Sequence, residues 1–300
     1  MDRRQFLFLS GLMTGMTFMP ARKLLAHMFF STGKMYPIRE HVGYYVERGG
    51  TIGWYLTSQH IVVVDTQFPE QAAHFIERLR ETNTQPIDLL INTHHHFDHT
   101  AGNIAFKGIV RQHVAHENAR ANQERIARQR GTLDQQLLPV TTFSDQWSTQ
   151  IGDETIRLYY FGPAHTNGDA IVHFERADVV HMGDLVFNRR YPYIDKTAGA
   201  NIQNWIAVLK KARKTFGSQA TYVFGHAGKD WPVRGTTADL QAFEDYLKRL
   251  LDYVRAAHRK GMTLDDLLTQ TKAIPGTPEW HGEGIERSLK AAWLELVEGK

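Results

Sequence analysis

Apolar residues recur along the chain with two periods. Short runs rich in β-branched and aromatic residues, bounded by glycine or polar pairs, predict strands. These runs cover residues 38–46, 51–56, 61–65, 87–91, 109–114, 147–151, 154–161, 170–174, 179–182 and 221–224. Apolar residues three and four positions apart predict a helix at 69–81, and further helices are expected at 202–215, 237–258, 263–269 and 285–297. A polar helix is expected around 116–128.

The order of these elements indicates an α/β (α+β) fold. Strands dominate the middle of the chain, and the last 65 residues are mostly helical. Because a sheet buries its apolar faces against other layers, we expect two sheets covered by helices on both outer faces. A helical C-terminal part should span about residues 235–300.

The N-terminus resembles an export leader. Arg3 and Arg4 precede Gln5 and an apolar stretch that runs through Met19, which resembles the twin-arginine signal of bacteria. The apolar run, about 14 residues long, is too short for a comfortable membrane span, although an uncleaved anchor is the alternative. We therefore expect residues 1–26 to be a signal peptide for the twin-arginine export machinery and residues 27–300 to be the exported domain. The protein is then expected to be periplasmic or otherwise exported.

Charge argues against a nucleic-acid partner. The leader holds four of the 35 basic side chains and one of the 32 acidic ones, so the remainder carries 31 of each and is neutral. A neutral surface offers no broad footprint for a phosphate backbone. A small-molecule substrate is the better expectation.

The residue types restrict the chemistry to metal binding by histidine and carboxylate. Cysteine is absent, which excludes thiol nucleophiles, disulfides and thiolate ligands, whereas 16 histidines are more than an ordinary chain carries. A strand ends just before His94, His96, Asp98 and His99, which offer four ligands within six residues. Imidazole and carboxylate suit zinc best, with iron or manganese as alternatives.

Four ligands on one short segment need partners from elsewhere in the chain. His165, Asp184 and His226 each follow an apolar strand and have a glycine within three residues. The resulting order, HxHxDH, then GPAHT, GD and GH, resembles the metallo-β-lactamase superfamily over about residues 38–230.

This resemblance implies a four-layered αββα sandwich with two zinc ions at one edge. His94, His96 and His165 would bind the first ion, Asp98, His99 and His226 the second, and Asp184 would bridge them. Asp65 matches a family position that supports the metal loop. His95 and Phe97 lie between these ligands but are not among them, and we expect both to be structural residues.

The implied chemistry is hydrolysis by a metal-bound hydroxide, with Asp98 also orienting the hydroxide or carrying its proton. The bond would be an ester, lactone, thioester, amide or related bond in a small substrate. A dedicated β-lactamase is less favoured, because Asp184 stands where many lactamases have cysteine and no lysine follows it. Arg189, Arg190, Tyr191 and Tyr193 follow Asp184 and are candidates for the substrate pocket.

Two alternatives remain open on the same scaffold. The ligands would also suit an iron-dependent redox enzyme that resembles the persulfide dioxygenases. A non-catalytic periplasmic metal-binding partner protein is the other alternative.

Overall fold

The computed structural model describes residues 33–299, and the predicted leader at residues 1–26 lies outside this range. Within the described part, none of the helices combines the length and the apolar character that a bilayer crossing needs.

The first sheet has seven strands that lie side by side in chain order. Strands β1 to β4 form an antiparallel meander, and β4 to β7 are parallel to one another. The strands are β1 (Lys34–Arg39), β2 (Val42–Val46), β3 (Ile52–Leu56), β4 (Ile61–Val64), β5 (Ile87–Asn92), β6 (Val110–His116) and β7 (Thr141–Phe143). Helices α1 (Pro69–Arg80) and α3 (Glu117–Arg130) connect parallel strands, and a single turn, α2 (Phe97–Thr100), follows β5.

The second sheet has six strands in the order β15-β13-β11-β10-β9-β8. They are β8 (Gln146–Ile151), β9 (Glu154–Tyr160), β10 (Ala170–Phe174), β11 (Val179–His181), β13 (Thr221–Val223) and β15 (Arg234–Gly235). Two further short strands, β12 (Phe187–Asn188) and β14 (His226–Ala227), pair in parallel with each other. Helix α4 (Ile202–Phe216) connects the parallel strands β11 and β13.

Alternation along the strands builds the inner layers, since successive side chains of a strand point to opposite faces. Val62 and Val64 of β4 face the second sheet and pack in one core with Leu158 and Val172. Val63, between them, faces outward into a separate core with residues of helix α1 such as Phe75.

The outer face of the second sheet is covered by α4 and by three C-terminal helices, α5 (Thr237–Arg259), α6 (Leu264–Gln270) and α7 (Ile285–Leu296). Val180 and Tyr222 of the sheet share a core with Trp205 of α4, Phe243 of α5 and Leu289 of α7. Helices therefore flank both sheets, and the predicted four-layered αββα sandwich is confirmed.

Some element boundaries differ from the prediction. The expected strand at 38–46 is a hairpin, because Glu40 has a φ of 53° and turns the chain between β1 and β2. Strand β7 was not predicted: Thr141–Phe143 has only three residues and contains one apolar side chain. The pairing with β6 holds it in the sheet.

One edge of the sandwich collects the loops that carry the predicted metal ligands. Strands β5, β11 and β13 end there, and the turn from β9 to β10 lies beside them. Two backbone hydrogen bonds join the sheets at this edge, from Ala170 N to Thr93 O at 2.7 Å and from Thr51 N to Gly225 O at 3.0 Å. The ligand loops are thus fixed by both sheets.

Candidate metal centre

The first group of ligands comes from three loops. His94 and His96 follow β5, His165 lies between β9 and β10, and Asp184 follows β11. One potential ligand atom from each of the four lies within 4.8 Å of every other. Nδ1 of His96 is 3.1 Å from Nε2 of His94 and 2.8 Å from Nε2 of His165.

The second group consists of Asp98, His99 and His226. Nε2 of His226 is 3.0 Å from Oδ2 of Asp98 and 3.4 Å from Nε2 of His99. Asp184 reaches both groups, since its Oδ2 lies 3.5 Å from Nε2 of His165 and 3.4 Å from Nε2 of His226. The structure therefore brings all seven predicted ligands together, with Asp184 between the two groups.

Hydrogen bonds on the far side of the rings orient the histidines. Nδ1 of His99 lies 2.7 Å from Oδ2 of Asp65, which also accepts a hydrogen bond from the hydroxyl of Thr93. Nδ1 of His94 in turn lies 3.0 Å from that hydroxyl oxygen. Asp65 is fully buried, with a φ of 62° just after β4. It thus contacts the ligand His99, as a supporting residue would.

The same pattern holds for two more rings. Nδ1 of His165 lies 2.7 Å from the carbonyl oxygen of Tyr193, and Nε2 of His96 lies 3.0 Å from Oδ2 of Asp195. These partners are acceptors, so the outer ring nitrogens carry the protons. The inner nitrogens then present lone pairs to one another, which is the tautomer that a metal ion requires.

The electrostatics also call for positive charge at this edge. Burial raises the pKa of Asp184, but the neighbouring His226 and His99 hold it well below its usual range. Burial and then His96 lower the pKa of His165 to about 3, and burial lowers that of His94 as well. Neutral rings at His94 and His165 are the protonation state that metal ligands adopt. Burial also opposes a charge on His99 and His226, but the carboxylate of Asp184 outweighs it and raises the pKa of both rings, so positive charge is favoured beside Asp184.

The residues present fit bound metal ions. Protons cannot satisfy the converging nitrogens of His94, His96 and His165, because a proton between two of them leaves the third unpaired. A tetrahedral ion with nitrogen ligands at about 2.0–2.1 Å separates them by about 3.3 Å, close to the distances observed here. The carboxylate of Asp184 is buried and faces ring nitrogens only, with Nε2 of His99 3.1 Å from Oδ1 and Nε2 of His226 3.4 Å from Oδ2, so a cation there would compensate its charge.

A glycine allows the close approach of one loop to this carboxylate. Gly225 stands directly before His226, and a Cβ on it would collide with Oδ1 of Asp184. Its N–H also donates to the carbonyl oxygen of Gly183 at 2.7 Å. The contact between the two loops therefore requires the glycine of the GH element, whereas Gly183 of the GD element has a φ of 51° and lies against Thr93.

Two cavities open beside the ligands. The metal-side cavity, of about 280 Å³, is lined by Asp98, Asp184 and His226 together with Arg190, Tyr191 and Arg287. The helix-side cavity, of about 310 Å³, is lined by His95, Asp195 and residues of helix α3. His96, Phe97 and Tyr193 line both, so they form a ridge between the two cavities.

The four pocket candidates after Asp184 have different surroundings. Arg190, Tyr191 and Tyr193 line the metal-side cavity. Arg189 does not: its guanidinium pairs with Asp239 at 2.6 Å and stacks on Trp231, with the ring centroid 4.5 Å away. The prediction that Arg189 lines the pocket is therefore wrong, since a positive φ of 54° turns its side chain toward helix α5.

The two non-ligand residues of the run also differ in position. His95 lies outside both ligand groups, buried, with Nε2 at 3.4 Å from Oδ2 of Asp195. Phe97, which we expected to be structural, is 51% exposed on the ridge between the cavities. It begins the single turn α2, which aims Asp98 and His99 inward and leaves Phe97 at the surface.

Sequence reasoning missed Asp195 and Arg287. Asp195 caps the short helical turn at Lys196–Ala198 through Thr197 N, so its sequence context indicates only a cap. Arg287 lies in the first turn of α7, about a hundred residues from the ligand loop it approaches, and no local pattern indicates that contact. Only the packing of α7 against the sandwich places it at the cavity.

The family model for the metallo-beta-lactamase superfamily matches residues 47–249, more than half of the chain. The chain belongs to this superfamily. The match confirms the resemblance that the histidine run and the later GPAHT, GD and GH elements carried. The fold of this superfamily binds metal ions and is typical of hydrolases.

Two individual relatives share only low sequence identity with this chain. The alpha subunit of 2,4-dinitroanisole O-demethylase from Nocardioides sp. (strain JS1661) is 30% identical over 42% of this chain and 38% of its own length. A metallo-beta-lactamase type 2 from Elizabethkingia meningoseptica is 22% identical over 59% of this chain and 67% of its own.

Solved structures agree on the fold. A double mutant of the sec-alkyl sulfatase PisA1 matches with a TM-score of 0.71 at 13% identity, covering 88% of this chain and 50% of that one. A structure of the stereoselective inverting sec-alkylsulfatase Pisa1 from Pseudomonas sp. gives a TM-score of 0.68 with the same identity and coverage. The chain spans about half the length of these sulfatases and 38% of the demethylase subunit.

Proposed function

We propose that this superfamily member is a hydrolase that depends on two zinc ions and cleaves an ester, lactone, thioester, amide or related bond in a small substrate. One observation carries the proposal. Two groups of ligand atoms share Asp184, whose Oδ2 lies 3.5 Å from His165 and 3.4 Å from His226. A shared carboxylate is the arrangement that places two ions side by side.

We assign the proposed ligands to two ions as the resemblance to the superfamily implies. His94, His96 and His165 would hold the first ion, and Asp98, His99 and His226 would hold the second, with Asp184 serving both. Ions bound there would supply a water molecule with a pKa lowered toward neutrality and would polarise the bond to be cleaved.

Asp98 is the chain's own candidate for proton transfer. Its side chain is 31% exposed at the metal-side cavity, whereas that of Asp184 is 4% exposed. Burial raises the pKa of Asp98, but His99 and the hydrogen bond from His226 keep it below its usual range. The carboxylate is therefore ionised at neutral pH and is able to orient a water molecule and accept its proton.

The metal site by itself does not specify which bond is cleaved. The matched proteins are named as an O-demethylase, a metallo-beta-lactamase and a sec-alkyl sulfatase, which are three different activities. No lysine follows Asp184, where the segment is Leu185, Val186, Phe187 and Asn188. We therefore favour a substrate other than a β-lactam antibiotic.

Export through the twin-arginine machinery is a separate part of the proposal. It rests on Arg3 and Arg4 ahead of the apolar stretch, which belong to the part of the sequence that precedes residue 33. Changing both arginines to lysine should keep the protein in the cytoplasm of an expressing bacterium. An unchanged periplasmic yield would reject the twin-arginine route.

The decisive experiment combines metal analysis with a substrate panel. The purified protein should contain two zinc ions per chain and hydrolyse at least one member of a panel of esters, lactones, thioesters, β-lactams, phosphodiesters and sulfate esters. Asp98→Ala should reduce the turnover at least a hundredfold. Asp252→Ala, which removes an exposed carboxylate on helix α5, should leave it unchanged.

Two outcomes would replace this function with an alternative. Iron in place of zinc, together with oxygen uptake, would indicate the redox enzyme. A zinc-loaded protein that is inert on the whole panel, and whose Asp98→Ala variant keeps its cellular role, would indicate a non-catalytic metal-binding partner.

A further inference from the structure

We propose that Arg190 and Arg287 form an anion-binding subsite in the metal-side cavity, and that the substrate carries a carboxylate, sulfate or phosphate group there. The inference rests on the proposed function, because it assigns a substrate class to the same cavity. It depends on two residues from distant parts of the chain, one of which no motif indicated.

The two arginines converge on the cavity from different elements. Arg190 follows strand β12, and Arg287 stands in the first turn of helix α7. Both line the metal-side cavity together with the ligands Asp98, Asp184 and His226. A group bound between the guanidinium groups would therefore sit beside the metal centre.

Neither guanidinium has a described acidic partner. Nη1 of Arg190 lies 3.4 Å from Nδ1 of His226, which is a neutral or positive ring. The guanidinium of Arg287 lies over the ring of Tyr193, 5.7 Å from its centroid. No ion pair within residues 33–299 involves either of them at a distance of 4.0 Å or less.

Two arginines of the same region are paired with carboxylates instead. Arg189, directly beside Arg190, pairs with Asp239 at 2.6 Å, and Arg213 of α4 pairs with Glu244 at 2.8 Å. The contrast between Arg189 and Arg190 is the more telling one, because the two are adjacent. One is used for packing, and the other is left with its donors directed to a cavity.

The carboxylates of the cavity do not compensate these charges when metal is bound. Asp98 and Asp184 belong to the ligand groups, so their negative charge is offset by the ions. The cavity then carries two guanidinium groups and a cationic centre, which together favour an anion. Arginine is also the side chain best suited to a planar or tetrahedral oxyanion, since it offers paired N–H donors.

The cavity volume limits the size of the ligand. About 280 Å³ accommodates a small molecule or one end of a longer one. The exposed ring of Phe97 on the ridge offers an apolar contact for the remainder of such a molecule. A small amphiphilic anion therefore matches the site better than a neutral or cationic compound.

The test uses anions that cannot be hydrolysed, so that it is independent of catalysis. Hexanoate, hexanesulfonate, hexylphosphonate and the neutral hexanamide are each titrated into the zinc-loaded protein by calorimetry. We expect at least one anion to bind about tenfold or more tightly than hexanamide. Comparing the three anions identifies whether carboxylate, sulfonate or phosphonate geometry is preferred.

Variants separate the arginines from the metal ions. Arg190→Gln and Arg287→Gln should each weaken binding of the preferred anion about tenfold without affecting hexanamide. Lys290→Gln removes a positive charge from an exposed position one turn further along α7, and should leave both affinities unchanged. Circular dichroism and zinc content of each variant control for folding and metal loading.

The outcomes distinguish this inference from the proposed function. A preference for anions that persists in the Arg190→Gln, Arg287→Gln double variant would overturn the subsite, because the metal ions alone would then account for it. Equal affinity for hexanamide and all three anions would also overturn it. Arginine-dependent anion binding in a protein that hydrolyses no panel member would support the subsite while the proposed function fails.

Discussion

Oδ2 of Asp195 lies 3.0 Å from Nε2 of His96, whose Nδ1 faces the first ligand group. Asp195 is 5% exposed and also accepts hydrogen bonds at Oδ1 from the backbone and hydroxyl of Thr197. A carboxylate held in this way fixes both the tautomer and the angle of the ring it contacts. Asp195 is thus a positioning residue for His96, a proposed metal ligand.

The change Asp195→Asn should therefore weaken zinc binding at one of the two sites. The amide is unable to accept as strongly and has to reorient, so we expect a loss of affinity of about 10- to 100-fold. Competition with a chromophoric chelator measures both zinc affinities. Asp252→Asn, an exposed aspartate on α5, is the control, and unchanged affinities in Asp195→Asn would show that the contact is only structural.

Zinc stoichiometry tests the division of the ligands. His94→Ala removes a ligand from the first group only, and His226→Ala from the second only. Each variant should retain about one ion per chain where the unaltered protein holds two, as measured by elemental analysis after dialysis. Asp184→Ala should weaken both sites, because its carboxylate contacts both groups. His281 is exposed, so the control variant His281→Ala should retain both zinc ions. Two zinc ions per chain in His94→Ala would contradict the assignment of His94 to the first group.

The ligand set could be predicted from the sequence because its parts are local. His94, His96, Asp98 and His99 lie on one short segment, and each remaining ligand follows its own strand with a glycine nearby. Strands that end at one sheet edge bring such loops together, so the order of motifs was enough. The layered fold followed from the same alternation of strands and helices.

The surroundings of the ligands were harder to predict because they depend on packing between distant elements. Arg189 and Arg190 are adjacent and chemically identical, and only the position of Asp239 on helix α5 makes one structural. Asp195 looks like an ordinary helix cap in the sequence, yet it contacts a ligand loop 99 residues away. Such contacts leave no periodicity or local motif.

Glu295 joins two helices of the outer layer. Its carboxylate in α7 accepts hydrogen bonds from the N–H groups of Ile202 and Gln203, at the start of α4, at 2.8 and 3.0 Å. Lys196 adds a bond at 3.1 Å. The first N–H groups of a helix have no acceptor within the helix, so the carboxylate serves as their acceptor. Its negative charge also interacts favourably with the positive end of the helix dipole.

Loss of this carboxylate should lower the stability of the whole domain. Glu295→Ala leaves the two N–H groups without their acceptor and leaves Lys196 with only the carbonyl oxygen of Ala200, at a cost of about 1–3 kcal/mol. Denaturant unfolding of the zinc-loaded protein measures the change. Glu295→Gln keeps one acceptor oxygen and should lose less than the alanine variant. Equal losses would indicate that packing, and not hydrogen bonding, is responsible.

His113 makes the stability of the first sheet dependent on pH. It is buried in β6, and its Nε2 donates to Oδ1 of Asn92 at 2.9 Å. Asn92 stands two residues before His94 at the end of β5. Burial lowers the pKa of His113 to about 3 from an ordinary value of 6.5. Between these values the unfolded chain takes up a proton that the folded protein does not.

Acidification should therefore destabilise the protein through this residue. The contribution is complete above pH 6.5 and falls as the pH is lowered toward 3, by at most about 1.4 kcal/mol per pH unit. His113→Gln keeps an amide donor for Asn92 but does not titrate, so its stability should fall less between pH 6.5 and 4 than that of the unaltered protein. Denaturant unfolding at several pH values gives the difference, in which the titration of the metal ligands cancels. An equal decline of the free energy of unfolding in both proteins would show that His113 takes up its proton equally in the folded and unfolded states. As a control, His281→Gln changes an exposed histidine and should follow the unaltered protein at every pH.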